Sequence, residues 1–277
     1  MSESLTIEPA GHAHLPDIAI LVEAARWPHR LEDIRPAIDL GYGLVARLGE
    51  RERLVGVAAL WLYGERAARI GLVIVPPDLQ GRGIGRRLVD ELLREAGSRA
   101  VMLLTTPSGQ PLYEKLDFRT VGGALRHQGE YRHTPVTDPR IRPASPGDLE
   151  RVAEIDANAL CADRREILAH LHDAGRTSVL VEAGRLTGYA VQRPFGFGTV
   201  VGPIVANSEE DAIALFDASA APGFVRVDRP SEALLLGRHL EKAGLMGDES
   251  SGVMTLGTWP ACSGPARIYA MAGHAWG

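Results

Sequence analysis

One short pattern occurs twice along this chain, in the same order, and that repetition limits the possible folds more than any composition figure. Ile7-Glu8-Pro9-Ala10, with Asp17-Ile18 after it, is echoed by Ile141-Arg142-Pro143-Ala144, with Asp148-Leu149 after it. Leu54-Val55-Gly56-Val57-Ala58 is echoed by Leu186-Thr187-Gly188-Tyr189-Ala190. Ile74-Val75-Pro76 has its counterpart in Ile204-Val205-Ala206, and Glu114-Lys115-Leu116-Asp117-Phe118 in Glu241-Lys242-Ala243-Gly244-Leu245. The offset drifts slowly, as short changes in loop length would make it. Ordered self-similarity of this kind means one supersecondary unit built twice. The expected division is 1–136 and 137–277, with the joint in the Pro- and Thr-rich residues 134–140, and a length of 277 residues suits two domains of about 150.

Within each copy, strand-like and helix-like runs alternate. Residues 5–9 read as a short strand, and residues 14–26 place Ile18, Leu21, Val22 and Ala25 at helical spacing. Residues 44–48, 54–63 and 69–75 are strand-like, with breaks at 49–53 and 64–66. A helix is expected over 83–96, striped by Ile84, Leu88, Leu92 and Ala96 and stopped by Gly97. A buried strand over 101–105, a short helix over 110–116 and closing strands at 118–121 and 129–133 complete the copy. The second copy opens with Ser145-Pro146-Gly147-Asp148, where Ser stands at the cap and an acid three residues on. The fold class is α/β, a mixed central sheet flanked by helices, made twice.

Composition then excludes several functions. Thirty basic against thirty-five acidic residues give a net charge of −5, which argues against a nucleic-acid partner. No apolar run reaches the 18 residues a membrane helix needs, and residues 1–10 lack the pattern of a secretory signal. Cys161 and Cys262 are too few for a disulfide framework and lack metal-ligand spacing, so they read as reduced thiols in a cytoplasmic protein. His12 and His14, like His170 and His172, have no Cys or acidic neighbour at ligand spacing, so no metal is expected.

The sharpest local signal is Gln80-Gly81-Arg82-Gly83-Ile84-Gly85, between a strand and an amphipathic helix. Glycines let backbone N–H groups approach an anion, the helix start adds partial positive charge, and Arg82, Arg86 and Arg87 add formal charge. A diphosphate is the chemistry favoured. The Gly-Lys-Ser/Thr of a Walker loop is absent, and glycines at every second position do not make a dinucleotide fingerprint.

The loop resembles the Q/R-x-x-G-x-G/A motif of the GCN5-related N-acetyltransferase (GNAT) superfamily, with Gln80, Gly83 and Gly85 at the motif positions. Val73-Ile74-Val75-Pro76 is similar to that family's splayed central strand. Leu112-Tyr113-Glu114-Lys115-Leu116-Asp117-Phe118 is similar to its L-Y-x-K-x-G-F segment, with Asp117 where Gly is usual. The resemblance covers about residues 5–133, and the second half resembles the degenerate C-terminal domain of tandem members. It implies acetyl transfer from acetyl-CoA to a primary amine of a small molecule or peptide, by direct attack through a tetrahedral intermediate, without a metal. By that resemblance Val73, Ile74 and Val75 line the pantetheine, and Gln80, Gly81, Arg82, Gly83, Ile84, Gly85 and Arg86 hold the diphosphate. Tyr113 is the implied proton donor to the leaving thiolate.

Glu65, His127, Glu23 and His29 are the candidates for a base. Residues 27–30 and the run Arg193-Pro194-Phe195-Gly196-Phe197-Gly198 are candidate walls of an acceptor pocket. The second half carries Ala206-Asn207-Ser208-Glu209-Glu210-Asp211 in place of the glycine loop and Leu240 in place of Tyr113, so no second active site is expected. The competing function is a non-catalytic CoA-binding sensor or scaffold. No membrane partner is expected, and the assembly is a monomer or homodimer.

Overall fold

The computed structural model describes residues 4–49 and 53–277. The breaks expected at 49–53 and the first residues of the chain fall largely outside that range. The first copy runs β1 (Leu5–Pro9), α1 (Leu15–Ala24), α2 (Leu31–Asp39), β2 (Tyr42–Leu48), β3 (Arg53–Tyr63), β4 (Ala67–Ile74), α3 (Ile84–Ala96), β5 (Ala100–Thr105), α4 (Gln110–Glu114) and β6 (Arg119–Tyr131). The second runs β7 (Ile141–Pro143), α5 (Leu149–Leu160), α6 (Arg165–Ala174), β8 (Arg176–Glu182), β9 (Arg185–Phe195), β10 (Gly198–Ala206), α7 (Glu209–Ser219), β11 (Gly223–Pro230), α8 (Leu234–Lys242) and β12 (Met246–Leu256). A further strand, β13 (Arg267–Ala270), has no counterpart in the first copy. The echoed segments fall on equivalent elements: residues 54–58 and 186–190 on β3 and β9, and Asp117 and Gly244 both left-handed at φ 62° and 88°.

The strands of the described residues form one continuous sheet in the order β1-β2-β3-β4-β5-β12-β6-β11-β10-β9-β8-β7, with β13 attached to β10. The two copies exchange their long closing strands. β12 lies antiparallel to β5, from Gly252 opposite Thr105 to Leu256 opposite Val101. β6 lies antiparallel to β11, from Tyr131 opposite Gly223 to Ala124 opposite Pro230. The closing strands expected at 118–121 and 129–133 are therefore one strand. Gly122 and Gly123 interrupt the sequence pattern, but β12 pairs with both, Gly252 opposite Gly123 and Val253 opposite Gly122, and holds the backbone extended through them.

Helices cover both faces. On one face α1 and α2 join α5 and α6 in a shared core with Ile18, Ile34, Trp61, Leu171 and Tyr189. On the other, α3 packs Leu88, Val89 and Leu92 against Val55 and Ile70, while α7 and α8 cover the second copy through Phe216 and Leu240. The sequence pattern does not announce α2, because Pro36 stands inside it. Its register is held instead by a start in which the Asp33 carboxylate accepts from the Arg30 backbone N–H at 2.9 Å, and Ile34, Ala37 and Ile38 are buried.

The reduced-thiol expectation is corrected: Cys161 and Cys262 form a disulfide, with Cα atoms 4.9 Å apart and a sequence separation of 101. Cys161 ends α5 in a left-handed conformation, and Trp259 Nε1 donates to the Leu160 carbonyl at 2.9 Å, bringing the second cysteine's loop onto that helix end. Among the described residues no helix is long and apolar enough to cross a membrane.

Candidate active site

The parallel pairing of β4 with β5 runs only from Ala67 opposite Ala100 to Ile70 opposite Leu103. Beyond it β4 bulges: Val57 of β3 faces Ile74 while Ala59 faces Gly71, and Leu72 takes a left-handed φ of 54°. A bulge bends its strand and re-aims the residues beyond it. The edge of β4 that faces β5 over residues 71–74 thus has no strand partner among the described residues, and the two strands part there, leaving a slot in the sheet's hydrogen bonding. Val73 and Val75 turn toward the α3 face, and Leu72 and Ile74 toward the α1 face.

The glycine loop stands at the mouth of this slot. Gly81 and Gly83 have φ of 79° and 80°, and a Cβ built on either meets nothing within 4 Å. Gly83 caps α3 without a side-chain hydrogen bond, so no capping side chain takes up the first-turn amides. Arg82 and Arg86 are exposed, and Ile84 is buried and anchors the turn. Gln80 folds back, its Nε2 donating to the Val75 carbonyl at 3.0 Å, and so joins the loop to the strand end. A Cβ on Gly85 would lie 3.4 Å from Leu112 Cδ2 and 3.7 Å from Val75 Cγ2. The strand end, the helix start and α4 therefore meet at one point.

Tyr113 comes from α4, beside Leu112. It is 6% exposed, its ring meets Phe118 edge-on at 5.7 Å, and its hydroxyl makes no hydrogen bond among the described residues. Burial alone holds that hydroxyl well above the ordinary tyrosine range, so it stays protonated at neutral pH. Asp117, at φ 62°, takes the left-handed turn that ends this segment, a conformation Asp tolerates better than most residues.

The base candidates separate. Glu65 is exposed in the β3–β4 turn, at the end of β4 opposite the slot, and Glu23 is exposed on α1. His127 is buried in the sheet, with Nδ1 3.1 Å from the Leu245 carbonyl and Nε2 accepting from Arg229 Nε at 3.0 Å. His29 is half-buried where the two copies meet, its ring 5.0 Å from Phe195 and 5.6 Å from Trp27. Burial, assisted by the nearby Arg226 charge, lowers its pKa to about 4. The two candidate acceptor walls, residues 27–30 and 193–198, thus converge, although they lie far apart in sequence. His12 is paired with Asp39 and His172 with Thr177.

In the second copy the equivalent slot is occupied by the chain itself. β10 and β11 pair only at Thr199–Val225 and Val200–Arg226. β13 then runs antiparallel to β10, with Ile204 opposite Ala270 and Ala206 opposite Arg267. Met271 N–H closes the other side on the Asp228 carbonyl at 2.7 Å. The α7 start is capped by Ser208, which accepts from Asp211 N–H, and Glu209 caps α8 by accepting from Leu235 and Leu236 N–H. Leu240 is fully buried. Sequence reasoning found the missing loop and tyrosine; β13 lay beyond the repeat and carried no motif.

A mixed sheet with a bulged, splayed parallel pair, a glycine turn before a helix and a buried tyrosine is an arrangement consistent with an acyltransferase. Two matches to family models described as Acetyltransferase (GNAT) domain, over residues 40–120 and 152–270, agree with that class. The chain belongs to the GNAT superfamily, as a tandem member. It is similar to YitH of Bacillus subtilis (strain 168), an uncharacterized N-acetyltransferase, with 27% identity over 251 residues, covering 87% of this chain and 88% of that one. In fold it is similar to a Pyrococcus horikoshii structure assigned to the acetyltransferases, with TM-score 0.77, 22% identity, and 99% and 96% of the two chains covered. It is also similar to a tandem GNAT protein from the clavulanic acid biosynthesis pathway, with TM-score 0.64, 14% identity, and 91% and 98% covered.

Proposed function

We propose that the first copy, residues 1–136, is the catalytic half of an acetyl-CoA-dependent N-acetyltransferase acting on a primary amine, and that residues 137–277 support it. The observation that carries this reading is the convergence of Val75, Gly85 and Leu112 at the mouth of a slot whose glycine turn is open. Residues 81–86 would hold the diphosphate on the exposed amides before and within the first turn of α3, with Arg82 and Arg86 adding charge. Val73, Ile74 and Val75 would offer the pantetheine the polar groups that β5 leaves unpaired. Acetyl-CoA supplies an activated thioester.

The chain's own part is to place and stabilise. A β4 backbone amide freed by the bulge would stabilise negative charge on the thioester oxygen, a contribution of about 3–4 kcal/mol in comparable sites. Tyr113, kept protonated by burial, would donate to the leaving sulfur. The same apolar surroundings raise a thiol's pKa too, so the proton transfer is not made uphill by burial alone. The measurement is free-thiol release from acetyl-CoA with a broad amine panel. Release with acetylated amine as product is the expected result. CoA binding with no release on any amine would make the protein a sensor instead.

A further inference from the structure

The sheet of the first copy has two faces where β4 and β5 part, and the glycine turn stands on only one of them. On the other, the α1 and α2 face, residues 271–277 cross from the second copy to the first. Ala275 Cα stands 3.1 Å from where a Cβ on Gly71 would be, beside the point at which β4 leaves β5. This segment's carbonyls are received by buried guanidinium groups. Arg193 Nη2 donates to Ala272 at 2.7 Å, Arg69 Nε to Ala275 at 2.9 Å, and Arg164 Nη1 to Trp276 at 2.7 Å.

Four arginines at this junction can be compared directly. Arg30, Arg164 and Arg226 each turn the Nε–Nη2 edge onto a carboxylate, that of Asp33, Asp156 and Asp228 respectively, with bonds of 2.8–3.0 Å. Arg193 has the same edge, yet Nη2 holds a neutral carbonyl and Nε is buried with no hydrogen-bond partner. Among the described residues no carboxylate pairs with it, although it is only 6% exposed. Burial pulls its pKa down to about 10; the charges of Asp33 and Asp228 offset this only through space, without a hydrogen bond to the guanidinium, and a buried charge without a bonded partner is costly. Beside it, His29 Nδ1 is also buried and unpartnered. Both groups contact the Phe195 ring, Arg193 at 5.2 Å and His29 at 5.0 Å. Arg69 adds a second guanidinium with no acidic partner, 2% exposed.

We infer that this junction between the copies is the acceptor side of the site, and that it selects amines that also carry a carboxylate, seated on the Nε–Nη2 edge of Arg193. The inference rests on the acetyltransferase reading above. A side-on, two-bond grip is the geometry arginine offers a carboxylate best. In taking it the ligand replaces the Ala272 carbonyl, so residues 271–277 give way as it binds.

The test uses the full chain, acetyl-CoA and two matched pools: L-amino acids and the corresponding L-amino acid amides. The expected result is a kcat/KM at least ten-fold higher for the acids, although their amines are less often deprotonated at neutral pH. Arg193→Gln brings the ratio close to one. Hydrogen exchange at residues 271–277 quickens under saturating amino acid. A wild-type ratio near or below one overturns the inference while leaving the transferase reading intact, and so does unchanged exchange in that segment. No thiol release from either pool also overturns the inference, and the transferase reading itself falls only if the broad amine panel gives no release either. The wild-type ratio and exchange decide the matter even if Arg193→Gln does not fold.

Discussion

Gly83→Ala separates the two things its position does. At φ 80° and ψ 2° the residue is left-handed, which costs an L side chain about 1–2 kcal/mol. A Cβ there meets no protein atom within 4 Å, so the folded state bears backbone strain and no clash. For a chain of this size that corresponds to roughly 2–4 °C in Tm per kcal/mol. The same methyl, however, projects into the space in front of the α3 amides, where a diphosphate would be received. Losing one charge-assisted hydrogen bond there is worth about 1.5–3 kcal/mol, or roughly 10- to 150-fold in affinity. Gly184→Ala is the control. It has φ 75°, equally open space, and lies in the β8–β9 turn of the second copy. Calorimetry with CoA, paired with thermal melts, should show similar Tm losses for the two variants and a weakened Kd for Gly83→Ala alone. Equal affinities in the two variants would falsify the claim that these amides hold the diphosphate.

Two further outcomes can be measured on the same protein. Tyr113→Phe should lower turnover by about 10²-fold with little change in CoA affinity, since general acid catalysis contributes on that scale; full turnover would remove Tyr113 from the chemistry. Titration with CoA should reach saturation at one molecule per chain, because β13 already lies along β10 in the second slot, and two equivalent sites would contradict that reading.

Much of this arrangement was legible in the sequence, and the physical reason differs from part to part. The α3 stripe of Ile84, Leu88, Leu92 and Ala96, ending at Gly97, comes from local periodicity, and all four side chains are buried. The internal echo placed the strands of the second copy because identical topology demands identical turns, as Asp117 and Gly244 show. Pairings made across the whole chain were hidden. Nothing near Cys161 announces Cys262, and nothing in β6 says that its neighbours are β11 and β12 rather than β5. Arg69 did leave a trace, a lone charge within the otherwise apolar Ala67-Ala68-Arg69-Ile70-Gly71-Leu72. A guanidinium in such a strand must find acceptors from elsewhere, and it finds those of residues 274 and 275.

The exchange of β6 and β12 ties the two copies together. The first half does not supply the strand that flanks its own β5; Met254, from the other half, is fully buried in the core that holds Tyr113. Deleting the second copy would bare β5 and open the core that holds Tyr113. The two halves are thus bound into one unit, and a substitution in β12 reaches the interior of the first copy without touching its glycine turn.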